Sequence, residues 1–317
     1  MKPVRRDFLI ELPKPELHCH LDGSLRLETM LDLAQKDKVE LPAKDLDGLK
    51  KAVVVQNRVK SLEEYIEKFQ FTLAVLQTPE ALERAAFELA EDAAAENVRH
   101  LEVRYSPILH KDKGMTPMES LDAVIKGLRD AEHEFNISTG VIICGIRNFS
   151  IESSIELAEL AIAYKYRGVV GYDLAGAEEN FPAKDHLEAF YLIRNNNVNV
   201  TLHAGEAYGP QSIHQAIHYC GANRIGHGTR LREDGDLMNY INDHRICLEV
   251  CLTSNFQTGT IGKVGNHPLK FYHDYGLRLS LNTDNRLISG VTLVDEYMLA
   301  HKTFNFNMLD FKDFIIS

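Results

Sequence analysis

The sequence predicts an α/β protein of the (β/α)8 TIM-barrel class, with a helical insertion between strands 1 and 2. Eight short apolar or β-branched runs alternate with stripes of helical period, which is the pattern of a parallel sheet covered by helices. A length of 317 residues suits a barrel folding as one domain over 1–317, and no repeat, low-complexity tract or Pro/Gly/Ser linker divides it. A doubly wound open sheet is the competing arrangement that the same alternation allows.

The expected strands are 16–21, 99–104, 141–146, 169–174, 200–204, 224–228, 246–250 and 278–283. After the first of these, Leu27, Met30, Leu31 and Ala34 form a helical stripe at i, i+3, i+4 and i+7. The interval 41–97 then breaks the rhythm as an insertion. Within it, Leu62, Tyr65, Ile66 and Phe69 share a helical face that either packs outside the barrel or forms a lid over its C-terminal mouth. Thr78-Pro79 pairs an N-cap with a first-turn proline ahead of Leu82, Ala85, Ala86 and Leu89. Thr116-Pro-Met-Glu119 adds a capping box before Leu121, Val124, Ile125 and Leu128. Further stripes run through Ile151, Ile155, Ala158 and Ile162, and through Ile213, Ile217 and Cys220.

Composition narrows the function. The net charge of −11, from 35 basic and 46 acidic residues, argues against a nucleic-acid backbone or an anionic membrane as partner. No apolar run approaches the ~20 residues of a membrane span, and the stretch after Arg5 and Arg6 is too short for a signal core. Small molecules remain as targets. Five cysteines without a Cys-x-x-Cys pair read as free thiols of a cytoplasmic protein, and Cys247 and Cys251 as small core hydrophobes rather than ligands. Nothing in the sequence fixes an oligomeric state.

The unusual polar residues fall at strand ends. His18 and His20 are two apart on the first strand and so share a face. His203 ends the fifth strand, His227 the sixth and Asp284 the eighth, and in a barrel these ends converge on one mouth. Apolar layers normally fill a barrel, so histidines there need a partner. Imidazoles with a carboxylate suit Zn²⁺, whose open position would take a water and lower its pKa to about 7. Each ligating ring also needs its second nitrogen held by a hydrogen bond. Glu206, in the turn after His203, is placed to carry a proton. A dinuclear centre is the alternative, but the fourth strand, ending Gly171-Tyr-Asp-Leu-Ala-Gly176, offers no bridging lysine. The remaining histidines, His267 among them, read as structural or solvated.

Six motifs in order, His18-Cys-His20-Leu-Asp22-Gly23, Arg104-Tyr-Ser-Pro107, Asp173-Leu-Ala-Gly176-Ala-Glu178, His203-Ala-Gly-Glu206, Gly226-His227-Gly228 and Asn282-Thr-Asp284-Asn285, resemble the adenosine/AMP deaminase family of the metal-dependent amidohydrolases. The resemblance implies one zinc ion per chain on His18, His20, His203 and Asp284. It further implies that His227 orients and deprotonates the attacking water with help from Asp284, while Glu206 protonates purine N1. The substrate so implied is a small-molecule nucleoside: adenosine or 2′-deoxyadenosine, hydrolysed to the inosine form and ammonia in purine salvage. His20, Asp22, Gly176 and Asn285 would contact it, with Asp22 on a ribose hydroxyl and the Gly176 amide on N3. Ser106 and the face of Leu62, Tyr65, Ile66 and Phe69 would line the pocket. Gly176 reads equally as a turn glycine, and Asn285 also as a loop cap.

The sequence departs from the family pattern in two places. Asn285-Arg286 stands where the pattern has aspartate and proline; an asparagine amide donates to purine N7 at any pH. The chain also stops at Ser317, where members usually continue with further helices, which bears on stability rather than chemistry. Deamination of free adenine or of a modified adenine nucleoside is the nearest rival function. A catalytically silent barrel acting as a binding protein would have lost a ligand or Glu206, and this chain keeps them all.

Overall fold

The computed structural model describes residues 4–316, so Ser317 and the first three residues lie outside the described part. Eight parallel strands pair in chain order: β1 (Lys14–His20), β2 (Val98–Tyr105), β3 (Ser138–Ile146), β4 (Val169–Ala175), β5 (Asn199–Ala204), β6 (Arg224–His227), β7 (Cys247–Val250) and β8 (Leu279–Leu281). The ends of the sheet meet through a parallel bridge between Cys19 and Asp284, with Asp284 N–H donating to the His18 carbonyl at 2.9 Å and His20 N–H to the Asp284 carbonyl at 2.7 Å. This is the TIM barrel that the alternation predicts. The runs are buried on both faces, as in β7, because helices cover the outside and side chains fill the inside.

The helices are α1 (Arg6–Glu11), α2 (Leu27–Asp37), α3 (Leu46–Val53), α4 (Leu62–Ile66), α5 (Phe69–Val75), α6 (Pro79–Ala95), α7 (Pro117–Glu134), α8 (Ile151–Tyr164), α9 (Leu187–Asn195), α10 (Pro210–His218), α11 (Gly235–Asp243), α12 (Leu252–Gln257), α13 (Leu269–Tyr275), α14 (Leu293–Phe304) and α15 (Met308–Ile316). Their starts follow the sequence signals. Thr78 accepts from the Ala81 amide with Pro79 behind it, and Thr116 and Glu119 form the reciprocal capping box. Between these outer helices and the sheet lies one continuous apolar core. No helix among the described residues is long and apolar enough to cross a membrane.

The 41–97 interval divides in two. Helix α6 packs on α7 and β2 as a member of the outer ring. Helices α3 to α5 precede it, and α4 and α5 reach the C-terminal mouth, where they line its cavity. The single helical face expected over Leu62–Phe69 is two short helices, yet Glu67 and Lys68 between them keep right-handed helical dihedrals. The stripe therefore stays in line.

Candidate active site

Apolar layers do not fill the upper barrel. Arg104, on β2, is wholly buried and donates to Asp173 on β4 at 2.8 Å, to Glu249 on β7 at 2.8 Å and to the Leu17 carbonyl at 2.6 Å. Arg224 reaches Glu249 at 2.6 Å and also bonds Glu102, and Thr201 donates to Glu249 at 2.9 Å. Burial alone would raise the Asp173 and Glu249 carboxyls, but His203 and Arg104 on the first, and Arg104 and Arg224 on the second, hold them well below the usual carboxylate range. Both are charged, and both face an imidazole.

His18 Nδ1 lies 2.9 Å from Glu249 Oε2, and His203 Nδ1 lies 2.9 Å from Asp173 Oδ2. Glu249 hydrogen-bonds His18 Nδ1 and so holds its proton there, while the Asp173 charge at ion-pair distance favours the proton of His203 on Nδ1, leaving Nε2 of each ring toward the mouth. Burial, with Arg104 and His203 nearby, pushes the His18 imidazole down to about 4, and burial holds His20 well below its ordinary value. Burial would raise Asp284, but His18, His20 and His227 keep its carboxyl well below the usual range.

His18, His20, His203 and Asp284 each present one ligand atom, and the four atoms lie within 4.8 Å of one another. His20 Nε2 is 3.2 Å from His203 Nε2, and Asp284 Oδ1 is 3.4 Å from both His18 Nε2 and His20 Nε2. Ligands at about 2.0–2.1 Å from a tetrahedral ion lie about 3.3–3.4 Å apart. His18 Nε2 is buried with no hydrogen-bond partner. Two guanidinium groups, Arg104 and Arg224, face the carboxylates of Glu102, Asp173 and Glu249, and Asp284 stands beside this network with only imidazoles and a hydroxyl around it, which favours a divalent cation there. The residues fit a single metal ion.

Two of the site residues are held in strained backbone. His227 has φ 65° and Asp284 φ 64°, left-handed conformations that few residues other than glycine adopt. The inter-strand bonds of His18 and His20 over-determine Asp284. His227 is fixed through its side chain. The Leu269 amide donates to His267 Nδ1 at 3.0 Å, so the proton of His267 is on Nε2, 3.2 Å from Asn255 Oδ1. Thr229 donates to the same oxygen at 3.1 Å. The Asn255 amide nitrogen therefore donates to His227 Nδ1 at 3.0 Å, which leaves the ring proton on Nε2, 3.5 Å from Glu206 Oε2.

Glu206 lies opposite this cluster. Burial pushes its carboxyl above the ordinary range, Asp284 adds to the shift, and His227 opposes it. Thr258 donates to its Oε1 at 3.1 Å. One cavity of about 820 Å³ joins these groups, lined by His20, His203, Glu206, His227 and Asp284 together with Asp22, Gly176, Asn285, Ser106, Leu62, Tyr65, Ile66 and Phe69. His18, fully buried, packs its ring against those of His20, His203 and His227. Asp22 Oδ1, Ser106 Oγ and Asn285 Oδ1 are buried without partners, and burial pushes the Asp22 carboxyl up to about 7. Tyr65, from the insertion, bonds Ser289 at 2.7 Å and pins α4 over the mouth. The structure thus brings together every residue that the sequence placed at the site.

It also adds residues. Asp173 and Glu178 entered only as parts of a motif and Arg104 likewise, while Glu249, Asn255, Thr258 and Thr229 carried no signal of their own. Glu249 lies in the segment noticed for its cysteines. His267 is a structural histidine, but one that orients Asn255. Arg286, where the family pattern has proline, is half-buried and bridges Glu16 and Glu96, both at 2.5 Å.

Gly226, on β6, supplies an empty space beside the cluster: a Cβ there would lie 2.9 Å from His18 Cε1 and 3.2 Å from the His203 backbone. Gly226→Ala is expected to displace His18 and lower metal affinity by about 10- to 100-fold, as loss of ligand support does. Competition with a chelator measures it; unchanged affinity would separate His18 from the metal.

An eight-stranded barrel whose C-terminal mouth holds a ligand-competent imidazole–carboxylate cluster opposite a buried acid defines the amidohydrolase type of deaminase. A family model described as adenosine deaminase matches residues 13–317, and the chain belongs to that family. An adenosine deaminase of Clostridium perfringens is 42% identical over 96% of this chain and 92% of its own length. A probable adenosine deaminase of Dictyostelium discoideum is 41% identical over 97% of this chain, which spans only 40% of that longer protein. The solved adenine deaminase of Arthrobacter aurescens superposes with a TM-score of 0.89 at 26% identity, over 96% of this chain and 91% of its own.

Proposed function

We propose that the chain hydrolyses adenosine and 2′-deoxyadenosine to the inosine forms and ammonia, as a cytoplasmic purine-salvage enzyme with one zinc ion per chain. The observation that carries this is the buried, protonatable Glu206 facing the imidazole–aspartate cluster across one cavity. His18, His20, His203 and Asp284 would hold the ion. When bound, it supplies positive charge that brings a water to a reactive pKa near neutrality.

The chain's own groups do the rest. Glu206 donates a proton to purine N1, which makes C6 electrophilic. Water adds to C6, and its proton passes to Asp284, which is ionised in the folded protein. With its proton on Nε2, His227 presents a donor to the cavity, so we assign it the orienting of the water and give proton acceptance to Asp284. Asp284 then passes that proton to the C6 amino group, which leaves as ammonia, and the C6 hydroxyl returns a proton to Glu206 as the inosine carbonyl forms. Leu62, Ile66 and Phe69 exclude bulk water above the reacting carbon. The cytoplasmic assignment rests on five free, buried cysteines.

The rival substrates separate on the same cavity. Asp22 offers an unpartnered carboxyl oxygen to a sugar hydroxyl, which free adenine lacks. Among the described residues no lysine or arginine lines the cavity, whereas Glu63 and Glu67 do. A 5′-phosphate would be desolvated there without a counter-charge, at a cost of at least about 3 kcal/mol. Adenosine is therefore expected to exceed both adenine and AMP in kcat/KM, AMP by about 100-fold or more. The ultraviolet change on deamination of each compound tests this. Turnover of adenine or AMP above adenosine would refute the substrate assignment.

A further inference from the structure

The turn that carries Glu206 has no sheet or helix of its own. Residues 205–208 lie between the end of β5 and the start of α10, and Gly205 has φ +70° with no room for a Cβ against Ile213. Four successive amides of this turn nevertheless converge on one side chain. Glu178, in the loop after β4 and only 5% exposed, accepts from Gly205 N–H through Oε1 at 2.7 Å. Its Oε2 accepts from Glu206 at 3.0 Å, Ala207 at 2.6 Å and Tyr208 at 2.9 Å. Successive amides wrapped round an anion in this way form a nest, with the anion here built into the chain.

The loop that bears Glu178 is itself tied down. Buried Arg147 donates to the Phe181 carbonyl at 3.0 Å and to the His203 carbonyl at 2.5 Å, which links that loop to the strand leading into the turn. Among the described residues the four amides meet no acceptor besides Glu178, and Gly205 and Glu206 are buried. Without the carboxylate they would be left unpaired at a cost the turn relieves only by changing shape.

We infer that Glu178 is a positioning residue for the reaction: its carboxylate fixes the backbone at 205–208 and so aims Glu206 at the substrate. The inference rests on the assignment of Glu206 as the proton donor. Glu178 touches no reacting atom and acts through the turn.

Glu178→Gln keeps the shape but turns an acceptor into an –NH₂ donor facing amide donors. Misplacing a reacting group by about 1 Å costs about 100-fold. The expected result is kcat for adenosine down about 100-fold with KM within about threefold, and faster hydrogen exchange at the amides of 205–208. In a Glu206→Gln background, assayed at high protein concentration, the same substitution is expected to cost less than about threefold, because the group it aims is already gone. An unchanged kcat, or the full loss repeated in that background, overturns the inference. Should Glu178→Gln not fold, Glu178→Asp, which keeps the charge one methylene short, enters the same cycle with the same two outcomes. A wild-type protein inactive on adenosine would instead defeat the substrate assignment, and the exchange measurement would still decide whether Glu178 holds the turn.

Discussion

Glu206→Gln is expected to lower kcat for adenosine by about 1,000-fold while leaving the fold and the metal content unchanged. General acid catalysis by a positioned side chain contributes about 10²- to 10⁴-fold, and protonation of N1 is the step that makes C6 open to attack. The amide fills the same space and keeps a carbonyl oxygen for the Thr258 hydroxyl, which donates to Glu206 Oε1 at 3.1 Å. What it lacks is a proton to give. The pH dependence follows from the same group. Burial raises the Glu206 carboxyl above its ordinary range, so its active, protonated form persists to higher pH than an exposed glutamate allows. In the wild type kcat falls as pH rises through that raised pKa; in Glu206→Gln this limb is absent and the residual rate is flat there. Steady-state rates across pH measure both. A variant as fast as the wild type would remove Glu206 from the chemistry.

Arg104→Met is expected to destabilise the protein by about 3–5 kcal/mol, the cost of breaking a buried ion network from one side. Arg104 alone joins Asp173, Glu249 and the Leu17 carbonyl, and all three charged side chains are fully buried. Methionine fills much of the volume but leaves two neighbouring carboxylates without their shared counter-charge. Their ordinary response is to take up protons, which also weakens their hold on the Nδ1 protons of His203 and His18. Thermal unfolding would shift downward by roughly 10 °C, at about 2–4 °C per kcal/mol for a chain of this order of size. A melting temperature within a degree or two of the wild type would show that the network contributes little.

The sequence shows the ends of the site more clearly than its support. His203, His227 and Asp284 are legible because they sit where a strand stops, and barrel topology alone carries strand ends to one mouth. His18 and His20 are legible from a spacing of two. Asp173 and Glu249 are not, since nothing local says that a carboxylate in mid-strand faces an imidazole; the Glu249–His18 contact spans 231 residues. Asn255 and His267 are hidden for the same reason, and Glu178 because its partners are backbone amides that any residue supplies. In the fold, periodicity locates α6 but does not say what it packs against. Only the assembled barrel separates it from the helices at the mouth.

The central claim is that His18, His20, His203 and Asp284 meet around one metal ion on which turnover of adenosine depends. Metal analysis of the purified protein, coupled to the ultraviolet change of adenosine becoming inosine before and after chelation, tests it most directly. The expected result is about one zinc per chain, loss of activity as the metal is removed, and recovery when one equivalent is returned. Full activity in protein stripped of metal would contradict it.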